Sequence, residues 1–158
     1  MAKITFHDGD LLDSKCEVIG HQTNCQGVMG AGIARTIRDT WPRVFGQYKL
    51  FCVKRRMEGK SPLGSCQLVY VDDEHSRIVA NLFGQEFYGR GKRQTDYEAL
   101  RKALHSLANN SFVRKQALSI GFPYLMGCAL GGGDWDIVLP IIEEEFSDYP
   151  GDIQIWKL

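Results

Sequence analysis

Net charge, paired cysteines and long apolar runs are all missing from this 158-residue chain. Its 19 basic and 19 acidic side chains cancel, so it has no bulk attraction for nucleic acid or anionic lipid. No apolar stretch approaches the ~20 residues of a membrane span. The opening residues, Met1 to Phe6, lack a hydrophobic signal core and cleavage site and read directly as a first strand. The five cysteines, Cys16, Cys25, Cys52, Cys66 and Cys128, are odd in number, widely spaced and without a Cys-x-x-Cys pair. That spacing argues for reduced thiols in a cytoplasmic protein, against a disulfide framework and against zinc. His21 and Cys25 straddle a strand end and a loop, so no metal pair is expected there. No repeat, low-complexity tract or linker interrupts the chain, and its length suits one domain over residues 1–158. A third-glycine Rossmann fingerprint and a Walker loop are absent too. The position three after Gly32 is Arg35, and the Asn24–Ala34 stretch holds no Gly-Lys followed by Ser or Thr.

Glycine, by contrast, is abundant and placed. Gly27, Gly30 and Gly32 fall within six residues, between an apolar strand pattern (Glu17 to Gln22) and a helical pattern (Ile33 to Arg38). Glycine admits close approach of a ligand to the backbone. The free N–H groups and dipole of a helix's first turn attract an anion, typically a phosphate. A second stretch, Pro123 to Trp135, repeats the arrangement with four glycines between a strand and a helix.

The other elements follow from periodicity and punctuation. Lys3 to His7 reads as a strand ending at the Asp8-Gly9-Asp10 turn. Trp41-Pro42 opens a helix with Val44, Phe45, Tyr48 and Phe51 or Cys52 on one face, closed by the cationic run Lys54-Arg55-Arg56. Cys66 to Val71 and Arg77 to Phe83 are strands, and Gly84 to Gln94 is a longer polar loop. Thr95 with Glu98 predicts a capping box for a helix striped by Tyr97, Leu100, Leu104 and Leu107 and ended by Asn109-Asn110. Ala117 to Phe122 and Asp152 to Leu158 complete the strands. Pro140 lies too deep for a first helical turn, so the last helix is expected to start beyond Trp135 or to bend. Alternating strands and helices predict an α/β fold with a parallel or mixed sheet. In such sheets ligands sit beyond the carboxyl ends of the strands, which is where both glycine loops leave. Two anion cradles over one crevice suit a diphosphate-bridged ligand.

With Gly9-Asp10-Leu11-Leu12, Asn24 through Ala34, Asn81-Leu82-Phe83-Gly84-Gln85 and Pro123 through Trp135 in this order, the chain resembles the macrodomain family. The resemblance runs from the first strand to the last. It is nearest the short, stand-alone branch of the terminal ADP-ribose protein glycohydrolase and the yeast-type ADP-ribose-1″-phosphate phosphatases. It implies a three-layer α/β/α sandwich around a mixed sheet that binds ADP-ribose without a cofactor or metal. By family pattern Asp10 accepts from the adenine amino group, and the Leu11 backbone also touches adenine. Asn24 and Gly30, Ala31, Gly32 and Ile33 surround the distal ribose and diphosphate. Met126, Gly127, Cys128, Ala129, Leu130 and Gly131 form the second phosphate loop, and Trp156 sits near the adenine.

That glycohydrolase uses a lysine after the Asn-Leu strand and an aspartate in the second glycine loop. The matching positions here are Gln85 and Gly131, which offer neither an amine nor a carboxylate. The remaining catalytic candidates are Asp134 as general base, His21, and Asn24 as a positioning hydrogen-bonder. Each has a structural alternative: a helix cap for Asp134, a hydrogen-bonded core histidine for His21. Cys25 is read as a small residue lining the first loop rather than as a nucleophile. The expected activity is hydrolysis of an ADP-ribose derivative, either the 1″-phosphate or an ADP-ribosyl adduct carried by protein or nucleic acid, with no membrane partner. The rivals are a module that binds ADP-ribose without turnover and a nucleic-acid-binding domain of the same fold, the latter disfavoured by zero net charge.

Overall fold

The computed structural model describes residues 4–89 and 91–158, so Lys3, the first residue of the expected opening strand, lies outside it. Six strands form one sheet: β1 (Ile4–Asp8), β2 (Val18–Thr23), β3 (Cys66–Tyr70), β4 (Ile78–Phe83), β5 (Ile120–Pro123) and β6 (Ile153–Lys157). Their spatial order is β1-β6-β5-β2-β4-β3. All neighbours run parallel except β3 against β4, so the sheet is mixed.

The alternation of side chains along each strand splits the core in two. On one face, Val18, Ala80, Leu82, Ile120 and Phe122 pack with Leu100 and Leu104 of α3 (Tyr97–Ala108) and Val138 and Ile142 of α5 (Trp135–Glu145). On the other, Ile19, Val79 and Phe83 pack with Ile37 of α1 (Gly32–Thr40) and Val44 and Tyr48 of α2 (Pro42–Met57). The result is a three-layer α/β/α sandwich. Gly20 and Gly121 sit where a methyl group would strike Phe122, at 2.5 Å, and Leu11, at 2.6 Å; the central strands need them for packing.

Two local expectations are corrected, and one element is added. Helix α3 is capped by Asp96, whose carboxylate accepts from Ala99 N at 3.1 Å, and not by Thr95, whose hydroxyl is turned to a neighbouring loop. Helix α5 starts at Trp135 and runs through Pro140. A good cap and the burial of Val138, Ile141 and Ile142 outweigh the backbone hydrogen bond that proline cannot donate. A short helix, α4 (Ser111–Lys115), capped by Asn110, occupies a stretch for which no element was expected. Five residues are too few for a periodic signal to show.

Candidate functional site

The carboxyl ends of β2, β4 and β5 frame a cleft of about 500 Å³. One wall is the first glycine loop. Gly27 and Gly32 adopt φ of 77° and 59°, in the left-handed region that favours glycine. Helix α1 then starts at Gly32 with Ala31 before it, no side-chain cap and no acidic residue in its first turn. Its first intrahelical bond is Arg35 N to Ala31 O. The N–H groups of Gly32, Ile33 and Ala34 therefore have no partner within the helix, and all three residues line the cleft.

The opposite wall is the second glycine loop. Leu125, Gly127 and Gly132 take φ of 62°, 75° and 70°. The first is unusual for a branched side chain, a strain of the kind that collects at binding sites. The loop is held from within. Gly133 N donates to Gly127 O at 2.9 Å, and Gln94 N and Thr95 N both donate to Gly131 O, at 2.8 and 3.1 Å. The Thr95 hydroxyl donates to Gly127 O at 2.6 Å and accepts from Gln22 Nε2 at 2.8 Å. Gln22 Nε2 also reaches Gln85 Oε1 at 2.7 Å, so the floor of the cleft is a neutral amide–hydroxyl network.

Asn24, Gly30, Ala31, Gly32, Ile33, Met126, Gly127, Ala129, Leu130 and Gly131 all line this cleft. Cys128 does not; its thiol turns to Met126 O at 3.4 Å, and burial pushes it up to about 11. Asp10, Leu11 and Trp156 lie outside the cleft, toward β1 and β6. Asp10 caps a single 3-10 turn (Leu11–Asp13) by accepting from Leu12 N at 2.9 Å. Leu11 is buried, and Trp156 stacks on His7 with centroids 4.8 Å apart. Along the strand ends the order is Asp10, Trp156, Tyr124, Asn24, Gln85.

The remaining catalytic candidates stand back from the cleft. His21 is fully buried. Its Nε2 lies 2.7 Å from Asn81 Oδ1, Asn81 Nδ2 donates to Gln67 Oε1 at 3.0 Å, and Gln67 Nε2 donates to Gln47 O at 3.0 Å. The backbone carbonyl at the end of this row can only accept. Each amide is thereby oriented, His21 Nε2 carries the proton, and Nδ1 has no partner among the described residues. Burial lowers the His21 pKa to about 4, the Asn81 bond opposing the shift. Asp134 caps α5 by accepting from Asp136 N at 2.9 Å. Its carboxylate occupies the end of that helix, so of the two helices that follow glycine loops only α1 is open to an anion. Cys25 is buried with its thiol on Gln85 O at 3.3 Å, and burial raises it to about 12, so it is a thiol and not a thiolate nucleophile. Cleft residues that sequence reasoning did not assign to the site include Gln22, Thr23, Tyr88 and Tyr124; of these, Gln22, polar at the end of an apolar strand, carried a signal.

A mixed sheet between two helical layers, with a glycine-walled cleft at the carboxyl ends of its parallel strands, defines a three-layer α/β/α domain of the type that takes ligands at strand ends. The Macro domain family model matches residues 21–142, and the chain belongs to the macrodomain family. It is 28% identical over 107 residues to the ADP-ribose 1″-phosphate phosphatase of Meyerozyma guilliermondii, covering 61% of each chain. It is 23% identical to the DNA ADP-ribosyl transferase–DNA ADP-ribosyl glycohydrolase fusion protein of Thermosipho africanus, over 97% of this chain and 41% of that one. The chain thus spans about three-fifths and two-fifths of those relatives' lengths. Among solved structures, a protein of unknown function from Bacteroides thetaiotaomicron superposes with a TM-score of 0.82 at 27% identity, covering 99% of both chains. The macrodomain of Mycobacterium tuberculosis DarG gives 0.79 at 24% identity, over 99% of this chain and 98% of that one, and shows the shared fold.

Proposed function

We propose that this chain binds ADP-ribose across the strand ends and hydrolyses an ADP-ribose derivative, with the 1″-phosphate as the first substrate and an ADP-ribosyl adduct of protein or nucleic acid as the second. The carrying observation is the uncapped start of α1 facing a strained glycine loop across one cleft. That geometry suits a diphosphate. The names of the phosphatase and glycohydrolase relatives supply the chemistry. In this reading the adenine lies toward Asp10 and Trp156, and the distal ribose toward Asn24 and Gln85. Asn24 contacts the ligand, while His21 and Asp134 act structurally. A cytoplasmic location is part of the same proposal.

One observation favours a second reading, binding without turnover. No carboxylate, histidine, lysine or cysteine is among the described residues lining the cleft, so general acid–base catalysis would fall there to the phenols of Tyr88 and Tyr124. A 1″-phosphate brings its own base, which keeps it ahead of the adducts as a substrate. A single preparation assayed against ADP-ribose-1″-phosphate, an ADP-ribosyl ester and an ADP-ribosyl nucleobase separates the readings. Release of ADP-ribose from any of them supports hydrolysis, and tight binding with no release supports the module. Failure to bind ADP-ribose sinks both.

A further inference from the structure

Tyr48 enters the sequence pattern only as a core position of α2, yet its hydroxyl ends on the site. The residue is fully buried and its ring stacks on Phe83 with centroids 5.7 Å apart. The hydroxyl lies 2.8 Å from Asn24 O and 2.7 Å from Asn24 Oδ1, with Val28 O farther off at 3.5 Å. A phenol has one proton to give, and both near acceptors belong to Asn24.

The orientation of the Asn24 amide follows from partners that cannot exchange roles. Gln26 N is a donor, so the atom 2.9 Å from it is Oδ1. Val28 O is an acceptor, so the atom 2.9 Å from it is Nδ2. Oδ1 thus faces two donors. Nδ2 keeps a second proton with no acceptor among the described residues, on a side chain that lines the cleft. Burial also holds the Tyr48 phenol far above its ordinary value, so it remains a neutral donor.

We infer that Tyr48 is the positioning residue of this site: its hydroxyl locks the Asn24 amide so that a donor, Nδ2–H, and not the carbonyl oxygen, is offered to an oxygen of the bound ligand. The inference rests on the reading that the distal ribose of ADP-ribose lies at Asn24. AMP lacks that ribose and should not sense the contact.

Tyr48→Phe keeps the ring and removes only the hydroxyl. It should weaken ADP-ribose about five- to tenfold and leave AMP unchanged. Asn24→Ala should show the same selectivity, and Tyr48→Phe added to Asn24→Ala should cost nothing further, because one acts through the other. Phe83→Leu disturbs the same ring stack without touching the hydroxyl; it should lower stability and leave the ADP-ribose to AMP ratio alone. In the nitrogen-15-labelled parent, one Asn24 side-chain proton should be protected by Val28 O. The other should exchange freely until ADP-ribose, but not AMP, covers it. Additive losses in the double variant, equal losses for both ligands in Tyr48→Phe, or two equally exchanging amide protons would overturn the inference. Unaltered ADP-ribose binding in Asn24→Ala would also overturn it and leave the binding site standing. No ADP-ribose binding by the parent would instead remove the functional reading beneath it.

Discussion

At the scale of single residues the glycines of the cleft are not equivalent. A methyl group on Gly131 would stand 2.7 Å from Gly127 O and 2.6 Å from Thr95 Oγ1, so that position is needed for the loop's own packing. Gly30 has no left-handed φ, and a methyl group there meets only Val28 Cγ1 at 3.5 Å. Gly30→Glu should therefore fold like the parent, by circular dichroism and thermal midpoint, and lose ADP-ribose binding in calorimetry because a carboxylate enters the anion site. Parent-like affinity in the folded variant would move the diphosphate elsewhere. His21 gives a second residue-scale expectation. Its pKa is about 4 in the fold and about 6.5 in an unfolded chain. Below about pH 6.5 the unfolded chain takes up a proton that the fold refuses, so stability falls with falling pH. The loss reaches roughly 3 kcal/mol by pH 4. Urea titrations from pH 7 to 4.5 should show this decline in the parent, and a His21→Gln variant should lack that part of it.

At the scale of elements, the cap and the network divide the work. Asp134→Ala removes the cap of α5 and should cost about 1 kcal/mol in urea unfolding while ADP-ribose affinity stays at the parent's value. Turnover that vanished in this variant with binding intact would return Asp134 to the role of general base. Thr95→Val does the opposite. It deprives Gly127 O of a donor and Gln22 Nε2 of an acceptor, for about 1–3 kcal/mol of stability. It also slackens the second glycine loop, so ADP-ribose affinity should fall as well. A variant that lost stability but bound ADP-ribose normally would show that the loop holds its shape without the hydroxyl. The strands and four of the five helices were legible because each carries a local pattern: Val18–Thr23 runs into glycines, and Leu100, Leu104 and Leu107 keep a helical stripe. Helix α4 and the true cap of α3 were not. One is a single turn of helix, and the other required choosing between adjacent cap-forming residues, Thr95 and Asp96, whose hydrogen bonds only the packed loop decides.

At the scale of the molecule, a ligand that binds only the folded chain stabilises it by mass action. ADP-ribose at a hundredfold excess over its Kd should contribute about 2.7 kcal/mol, a rise of roughly 5–11 °C in Tm for a domain this size. The described residues hold no cluster of metal-ligating side chains, so the rise should be identical in chelator; dependence on a divalent cation would contradict the reading. The sequence by itself determined the alternating order of strands and helices, and hence the α/β class, because each element carries a local pattern; the three layers were implied by the family resemblance. It also determined the placement of both glycine loops at strand ends, because glycine spacing is a local property. Only the tertiary structure decided which polar residues reach the cleft. His21 and Asn24 are three residues apart, yet one is sealed in the core by Asn81, 60 positions away, and the other lines the site, held by Tyr48, 24 positions away. Partners at such separations are set by strand register and helix packing, which no single stretch of sequence encodes.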